Sequence, residues 1–426
     1  MNSISLAKYL RTKGRLLPLE GGGALSRNYR QAVLIPVFAE RDFLPATLQS
    51  LSRNSSASVS ETLILLVLNN PVDANPEKVE ENLQSLSALR AGDYPQTLRL
   101  CWIDAASPGR ELPAGGGVGL ARKIGMDSAL QLLDWNAGPL LLSLDADTLV
   151  GPDYLDAVRG FFDCNPKMQS ATVNFAHLEG NSEDENSAIT SYELYMRYHL
   201  AGLRMAHSPY AYHSLGSAIS CRAGAYVKAG GMRERSGGED FYFLQALRKT
   251  SGPVGQITGT CVRPSARPSD RVPIGTGPRM RSLLAGEGIS VPSPAIFLLL
   301  RSLFEKIESL REPEWAELGE GIFRNSSPEL ESFLRKESFP VDWPKIHANT
   351  PPRHEARKAA FHTWFDALRT LQFIHHCEKE FPSLHSRRER VVEAFIELFE
   401  LNGKILSGEA PPDEKGLLLL LRSKNI

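Results

Sequence analysis

The sequence predicts an α/β protein: a Rossmann-like domain with a mainly parallel sheet, followed by a mainly α-helical C-terminal domain. Two observations carry this. Apolar, β-prone runs alternate with stretches of helical periodicity through about residue 280, and beyond that point long amphipathic helical patterns continue with no clear strand. At 426 residues the chain is also too long for one ordinary core. The expected division is an N-terminal extension over residues 1–30, an α/β domain over 31–280 and a helical domain over 281–426.

Residues 32–38, AVLIPVF, form the first strand, and residues 44–51 behind them carry helical spacing. Residues 62–69, TLILLVLN, form a second buried strand. Asn75 then caps a helix with Pro76 at its first position, and Val79, Leu83, Leu86 and Leu89 supply its apolar stripe. A third strand at 98–103, a loop ending in three glycines and a helix over 118–133 lead to the run LLLSLDADTLVGPDYL at 140–155. There an apolar strand ends in Asp145 and Asp147, and a Gly-Pro pair opens a helix over 152–162. Residues 170–175 and 218–221 read as strands, and 222–229 and 241–249 as helices. Strands alternating with helices imply parallel pairing, with ligands beyond the carboxyl ends of the strands. The acidic loop 179–186 reads as solvated surface, and Tyr192, Tyr195 and Tyr198 as a packing stripe.

Composition narrows the function. With 42% hydrophobic and 23% charged residues the chain matches soluble globular proteins, and a formal net charge of -1 offers no global attraction for a polyanion, so no nucleic acid is expected. The five cysteines are scattered without a Cys-x-x-Cys pair, which points to reduced thiols in a cytoplasmic setting. The first twenty residues lack a signal-peptide core, and the apolar runs at 295–300 and 417–421 are too short to span a bilayer, so no transmembrane segment is expected.

Three motifs carry chemistry. Asp145 and Asp147, one residue apart at a strand end, are two hard oxygen donors suited to a divalent cation with open positions for phosphates, although a bare Asp-x-Asp more often caps a helix. Glu239 and Asp240 follow Gly237-Gly238 at a helix start, where carboxylates are favourable as caps. The loop over 262–280 is rich in Pro and Gly, yet a linker would not need Arg263, Arg267 and Arg271 so densely placed.

Read together, these pieces resemble the GT-A fold of nucleotide-sugar glycosyltransferases, closest to family 2, over roughly residues 31–280. The stretch IPVFAERDFLPATLQSL is similar to that family's first strand and helix. This implies Pro36, Phe38 and Glu40 near the base or ribose, with Asn69 at the second strand's contact to the nucleoside. GGGVGLARKIGMDSAL resembles the segment before the metal motif and implies Gly119 and Arg122 near the donor. LDADTLVGPDYL matches the Asp-x-Asp motif, and GGEDFYFLQALRK the later Glu-Asp motif, whose catalytic base would fall on Asp240.

The implied reaction moves a sugar from a nucleoside-diphosphate sugar to a hydroxyl acceptor. A divalent metal, Mn2+ or Mg2+, at Asp145 and Asp147 would offset charge on the leaving diphosphate, and Asp240 would take the acceptor proton. Arg263, Arg267 and Arg271 could clamp the diphosphate, or build a structural loop. Inversion at the sugar is expected by analogy. Many GT-A enzymes complete the metal site with a downstream histidine, but none occurs here between His213 and His347, leaving Asp270, Ser269, water or the donor. His213 itself reads first as an ordinary packed residue. The C-terminal helices are expected to support acceptor binding or homo-oligomerisation. Two alternatives stand beside this reading. One is a sugar-phosphate nucleotidyltransferase, which the glycine-free PVFAERDF disfavours, and the other is a non-catalytic nucleotide- or carbohydrate-binding module on the same scaffold.

Overall fold

Two unbroken apolar runs start the sheet. β1 (Gln31–Val37) and β2 (Thr62–Asn69) are buried along nearly their whole length and pair in parallel from Gln31↔Thr62 to Val37↔Leu68. Such runs have no solvent face, as expected of strands covered on both sides. The computed structural model describes residues 3–22, 28–312, 314–321, 326–385, 391–401 and 413–426.

The chain divides into two compact units, one of Met1–Ile189 with Tyr212–Ala285, the other of Thr190–Ala211 with Gly286–Ile426. The first holds an eight-stranded sheet in the order β3-β2-β1-β4-β7-β6-β8-β5. The remaining strands are β3 (Arg99–Ala105), β4 (Leu140–Ser143), β5 (Thr148–Val150), β6 (Ser170–Phe175), β7 (Ile219–Arg222) and β8 (Val254–Pro264). The helices of this part of the chain are α1 (Ser3–Lys13), α2 (Leu44–Ser52), α3 (Ser56–Ser60), α4 (Pro76–Arg90), α5 (Val118–Ala129), α6 (Tyr154–Cys164), α7 (Glu183–Met205), α8 (Ala223–Ala229), α9 (Glu239–Ser251) and α10 (Thr276–Leu284).

Parallel pairing holds across β3-β2-β1-β4 and recurs between β6 and β8, so four of the seven strand pairs are parallel, as a mainly parallel sheet requires. β7 runs antiparallel to both β4 and β6, and β5 antiparallel to β8, so the second half of the sheet is mixed. The strand order reverses at β1, whose neighbours β2 and β4 lie on opposite sides. In open α/β sheets ligands bind at the carboxyl side of such a switch point.

Proline opens the crevice. The carbonyl of Leu34 accepts from Leu144 N at 3.0 Å, so Leu34 faces β4, and Pro36, two residues on, faces the same way. With no N–H to offer, Pro36 cannot extend the ladder, and the β1–β4 pairing ends at Leu34↔Ser143. The aspartate pair then falls in a turn between β4 and β5 rather than on a strand, and α6 begins only at Tyr154.

Polar side chains buried on helices fix the strand ends. On α2, Thr47 Oγ1 donates to Ala146 O at 2.8 Å and Ser50 Oγ accepts from Val150 N at 3.1 Å; in the turn after α2, Asn54 Oδ1 accepts from Leu155 N at the start of α6 at 2.8 Å. On α4, fully buried Asn82 accepts from Ala39 N at 2.9 Å and donates to Asn69 O at 2.9 Å and Asn70 Oδ1 at 3.1 Å. It ties the carboxyl end of β1 to that of β2 and holds Ala39 at a φ of 53°, a left-handed conformation that costs an alanine about 1–3 kcal/mol. The expected stripe of α4 is thus only half apolar: Leu86 and Leu89 are buried, Val79 and Leu83 partly so, with Asn82 and Ser85 among the buried positions.

Part of the stretch ahead of β1 pairs with the edge of the sheet. Glu20 N donates to Trp102 O at 2.8 Å and Trp102 N to Glu20 O at 3.0 Å, which covers the outer edge of β3.

In the second unit no strand occurs among the described residues. Its helices after α7 are α11 (Pro294–Ser309), α12 (Glu314–Gly321), α13 (Pro328–Lys336), α14 (Phe339–Ala348), α15 (His354–Trp364), α16 (Ala367–Glu380), α17 (Val391–Leu401) and α18 (Glu414–Ser423). The core is aromatic: Trp315, Trp343, Phe339, Phe361 and Phe365 are all fully buried. Tyr198 of the expected packing stripe is also fully buried, edge-on to Phe297 and Phe395. Glu193, buried on α7, accepts from Arg197 on its own helix and from Arg422 on α18 at 2.7 Å each.

Two stability outcomes follow. Asn82→Ala strands three polar partners and lowers unfolding free energy by about 2–4 kcal/mol in urea melts. In the second unit, burial and the neighbouring His375 push His199 down to about 4 from 6.5. The unfolded chain therefore binds the extra proton first, stability falls as pH drops from 6.5 toward 4, and His199→Asn flattens that segment of the melting-temperature profile.

Candidate active site

Beyond the carboxyl ends of β1 and β4 lie five carboxylates and three guanidiniums. Arg122 sits at their centre. It projects from α5, is 4% exposed, and reaches Asp145 with Nη2 and Glu239 with Nη1. Glu239 is 2% exposed, so this is a buried ion pair between residues 117 positions apart. By its place in the sequence Glu239 fits a helix cap, since carboxylates are favourable in a first turn. No side-chain cap is present at α9, and the carboxylate goes to Arg122 instead. Asp240, next along α9, is half-buried, and its Oδ1 accepts from its neighbour's Phe241 N at 2.7 Å. Burial raises its carboxyl above the ordinary 3.8, Arg122 pulls it back, and Asp145 adds to the rise.

A second network closes the other side of the crevice. Arg267 reaches Glu40 and donates to Asp147 Oδ2 through Nη2 at 3.1 Å and Nε at 3.3 Å, with its guanidinium 3.7 Å above the Phe43 ring. Arg271 reaches the other oxygen of Glu40 and donates to Asp147 Oδ2 at 3.4 Å and to Ala39 O at 3.3 Å. Desolvation brings Arg271 down to about 10. Asp147 is raised, by burial first and by Asp145 second. The antiparallel β5–β8 pair sets this register: Thr148 lies opposite Pro264, and Ser265 N donates to Asp147 O at 3.2 Å.

Not every expected residue joins. Arg263 lies exposed on β8 opposite Leu149, outside the two arginines that hold Asp147. Asp270 is turned to Lys78, whose Nζ donates at 2.7 Å and keeps the carboxyl low. Among the described residues no group of three His, Cys, Asp or Glu is gathered for a metal, so Asp270 does not complete a cluster with Asp145 and Asp147. Gly119 serves packing: its N–H donates to Arg235 O at 3.0 Å, and a Cβ there would stand 2.5 Å from the carbonyls of Arg233 and Arg235. Asn69 is 3% exposed at the end of β2, its carbonyl accepting from Asn82 and its side-chain Oδ1 without a partner. Pro36 and Phe38 are partly exposed along the β1 end, with Lys78 Nζ 5.8 Å from the Phe38 ring. His213 packs edge-on to Phe175 at 4.7 Å.

No protein-family model matches the chain, and neither does any curated protein. Several solved structures are similar to the chain. The Staphylococcus aureus TarS fragment 1–349 in complex with UDP-GlcNAc is 13% identical, with 82% of this chain and 92% of that one covered and a TM-score of 0.40. The mannosyltransferase PcManGT from Pyrobaculum calidifontis, in complex with GDP-Man and Mn2+, is 14% identical over 85% and 93% of the two chains, with a TM-score of 0.36. Glucosyl-3-phosphoglycerate synthase from Mycobacterium tuberculosis, in complex with UDP, is 15% identical over 68% and 88%, with a TM-score of 0.35. Among the described residues no helix is long and apolar enough to cross a membrane, and none of the five cysteines forms a disulfide.

Removing the central guanidinium should be costly. Arg122→Met leaves Glu239 buried and unpaired, and urea melts should show a loss of about 3–5 kcal/mol. Glu239→Gln in the same background should recover part of it.

Proposed function

We propose that the chain is a glycosyltransferase that moves a sugar from a nucleoside-diphosphate sugar to a hydroxyl acceptor, with inversion and with Asp240 as general base. The observation that carries this reading is the convergence of the two acidic motifs. Asp145 on the donor side and Glu239-Asp240 on the acceptor side meet through one buried guanidinium at the switch point of the sheet.

Each residue then has a part. Partly exposed Pro36 and Phe38, with the unpartnered Asn69 Oδ1, line the strand ends where a base and ribose would lie. Arg267 and Arg271 carry forked donors that match phosphate oxygens, and both already stand at the aspartate pair. Asp240 has a carboxyl raised by burial, which makes it a better proton acceptor than a solvated aspartate. As the acceptor oxygen attacks the anomeric carbon, its proton passes to Asp240 and the sugar–phosphate bond breaks toward the arginines.

The site also suits a divalent cation. Glu40, Asp145, Asp147, Glu239 and Asp240 face Arg122, Arg267 and Arg271, an excess of two negative charges. Asp145 and Asp147 would hold Mn2+ or Mg2+, with phosphate oxygens of the donor completing the ligand set. When bound, the cation would offset charge on the departing diphosphate.

A thermal-shift screen of nucleoside diphosphates and their sugars, with and without Mn2+ or Mg2+, should find one that stabilises the protein, since binding to the folded state raises its melting temperature. With that donor, Asp240→Asn should keep the shift and lose about 10²–10⁴-fold in kcat. The acidic limb of kcat/KM should fall above pH 3.8, because the base must be ionised and burial raises its carboxyl. Stabilisation by no nucleotide, or an undiminished rate in Asp240→Asn, would sink the reading.

A further inference from the structure

One fully buried carboxylate of the first unit takes no part in this chemistry. Asp127 lies on α5, five residues beyond Arg122, and is completely buried. Its Oδ1 accepts from Tyr9 Oη at 2.8 Å and Tyr226 Oη at 2.7 Å, and its Oδ2 from Arg15 N at 2.8 Å and Lys123 Nζ at 3.0 Å. Four donors meet all four lone-pair positions, which is what a buried carboxylate requires. Lys123 Nζ also donates to Tyr9 Oη at 3.1 Å. Beside Asp127, burial raises both tyrosine hydroxyls, so each stays protonated as a donor. Two of the four donors come from the first fifteen residues of the chain.

Those same residues touch the loop that leads to Asp240. Gly231, at a φ of 81°, leaves room for the Tyr9 hydroxyl against its backbone, where a Cβ would collide. Arg15 Nε donates to Glu234 Oε1 at 2.8 Å. On its other side the loop is held to α5 by the Gly119 to Arg235 hydrogen bond, and the Arg235 guanidinium stacks 4.0 Å from the Tyr242 ring of α9. Gly230, Gly231 and Gly238 all have positive φ, so the loop has permissive backbone at both ends and is fixed by what grips it between.

We propose that the N-terminal segment is a clasp: Tyr9 and Arg15, anchored on Asp127, hold loop 230–238 against α5 and so set the position of Asp240. Tyr9, Arg15 and Asp127 are positioning residues, acting through the loop, and Glu234 is the loop's side of the grip. The proposal rests on Asp240 being the base, and its test separates the two. Arg15 and Glu234 have side chains 57% and 37% exposed, so charge reversal there does not threaten the core.

Arg15→Glu and Glu234→Arg should each raise hydrogen exchange at loop amides 232–238 and lower kcat by about two- to fivefold, the scale of an exposed ion pair, with donor KM unchanged. The double reversal should restore both. Tyr9→Phe should raise loop exchange by about tenfold or more. Unchanged loop exchange in all three single variants overturns the clasp whatever Asp240 does. Faster loop exchange with a wild-type kcat overturns the link from clasp to chemistry, and an equal loss of donor affinity makes the segment merely structural. Asp240→Asn, measured alongside, reports on the base independently.

Discussion

A guanidinium with almost no access to water sets the terms for the first unit. Burying Arg122 is tolerable only because Asp145 and Glu239 neutralise it, and those two residues arrive from opposite halves of the sheet. The parallel half must therefore end where the mixed half begins α9, with the glycine-bearing face of α5 close against the 233–236 backbone to let Arg122 reach both. Leaving either carboxylate elsewhere would strand a charge in a low-dielectric interior, which costs several kcal/mol. The same constraint keeps the two acidic motifs in register while the chain between them runs out into the second unit and back.

Much of this was legible in the sequence where the signal is local. β2 spans the residues its apolar run implied, β6 likewise, and Asn75 caps α4 with its side chain accepting from Glu77 N. The order of motifs was enough to bring Glu40, Asp145, Asp147, Arg122, Arg267, Arg271 and Asp240 to one end of the sheet. What stayed hidden depends on partners distant in sequence. Thr47, Ser50 and Asn82 look like interruptions of amphipathic helices, and only the strand ends they bond reveal why polar atoms belong there. Glu239 is indistinguishable from a cap until Arg122 is placed beside it. Arg263 was grouped with its neighbours by density, yet strand pairing fixes it four residues before the turn that brings Arg267 to Asp147.

The arginine pair shows how the site is poised. Arg267 and Arg271 share Glu40 and Asp147 between them, so their positive charge is already compensated. An arriving anion competes with two carboxylates for the same N–H groups, and the strongest competitor is one that offers several oxygens at once. A diphosphate does so, whereas a single carboxylate does not. Under the proposed function, that pairing would favour a polyoxyanion over a single carboxylate.

The second unit is sewn into the chain differently from an appended domain. Helix α7 runs without a break from Glu183 in the first unit to Met205 in the second, and the chain crosses between the units near 190, 212 and 286. A shortened protein that stops after residue 285 would keep the inserted helix and lose its neighbours. Tyr198, now sealed between Phe297 and Phe395, would meet solvent, and Glu193 would lose Arg422. A single cut at the apparent boundary near residue 286 therefore parts the 190–211 segment from the helices that complete its core, so the second unit's core is assembled from two separate stretches of chain.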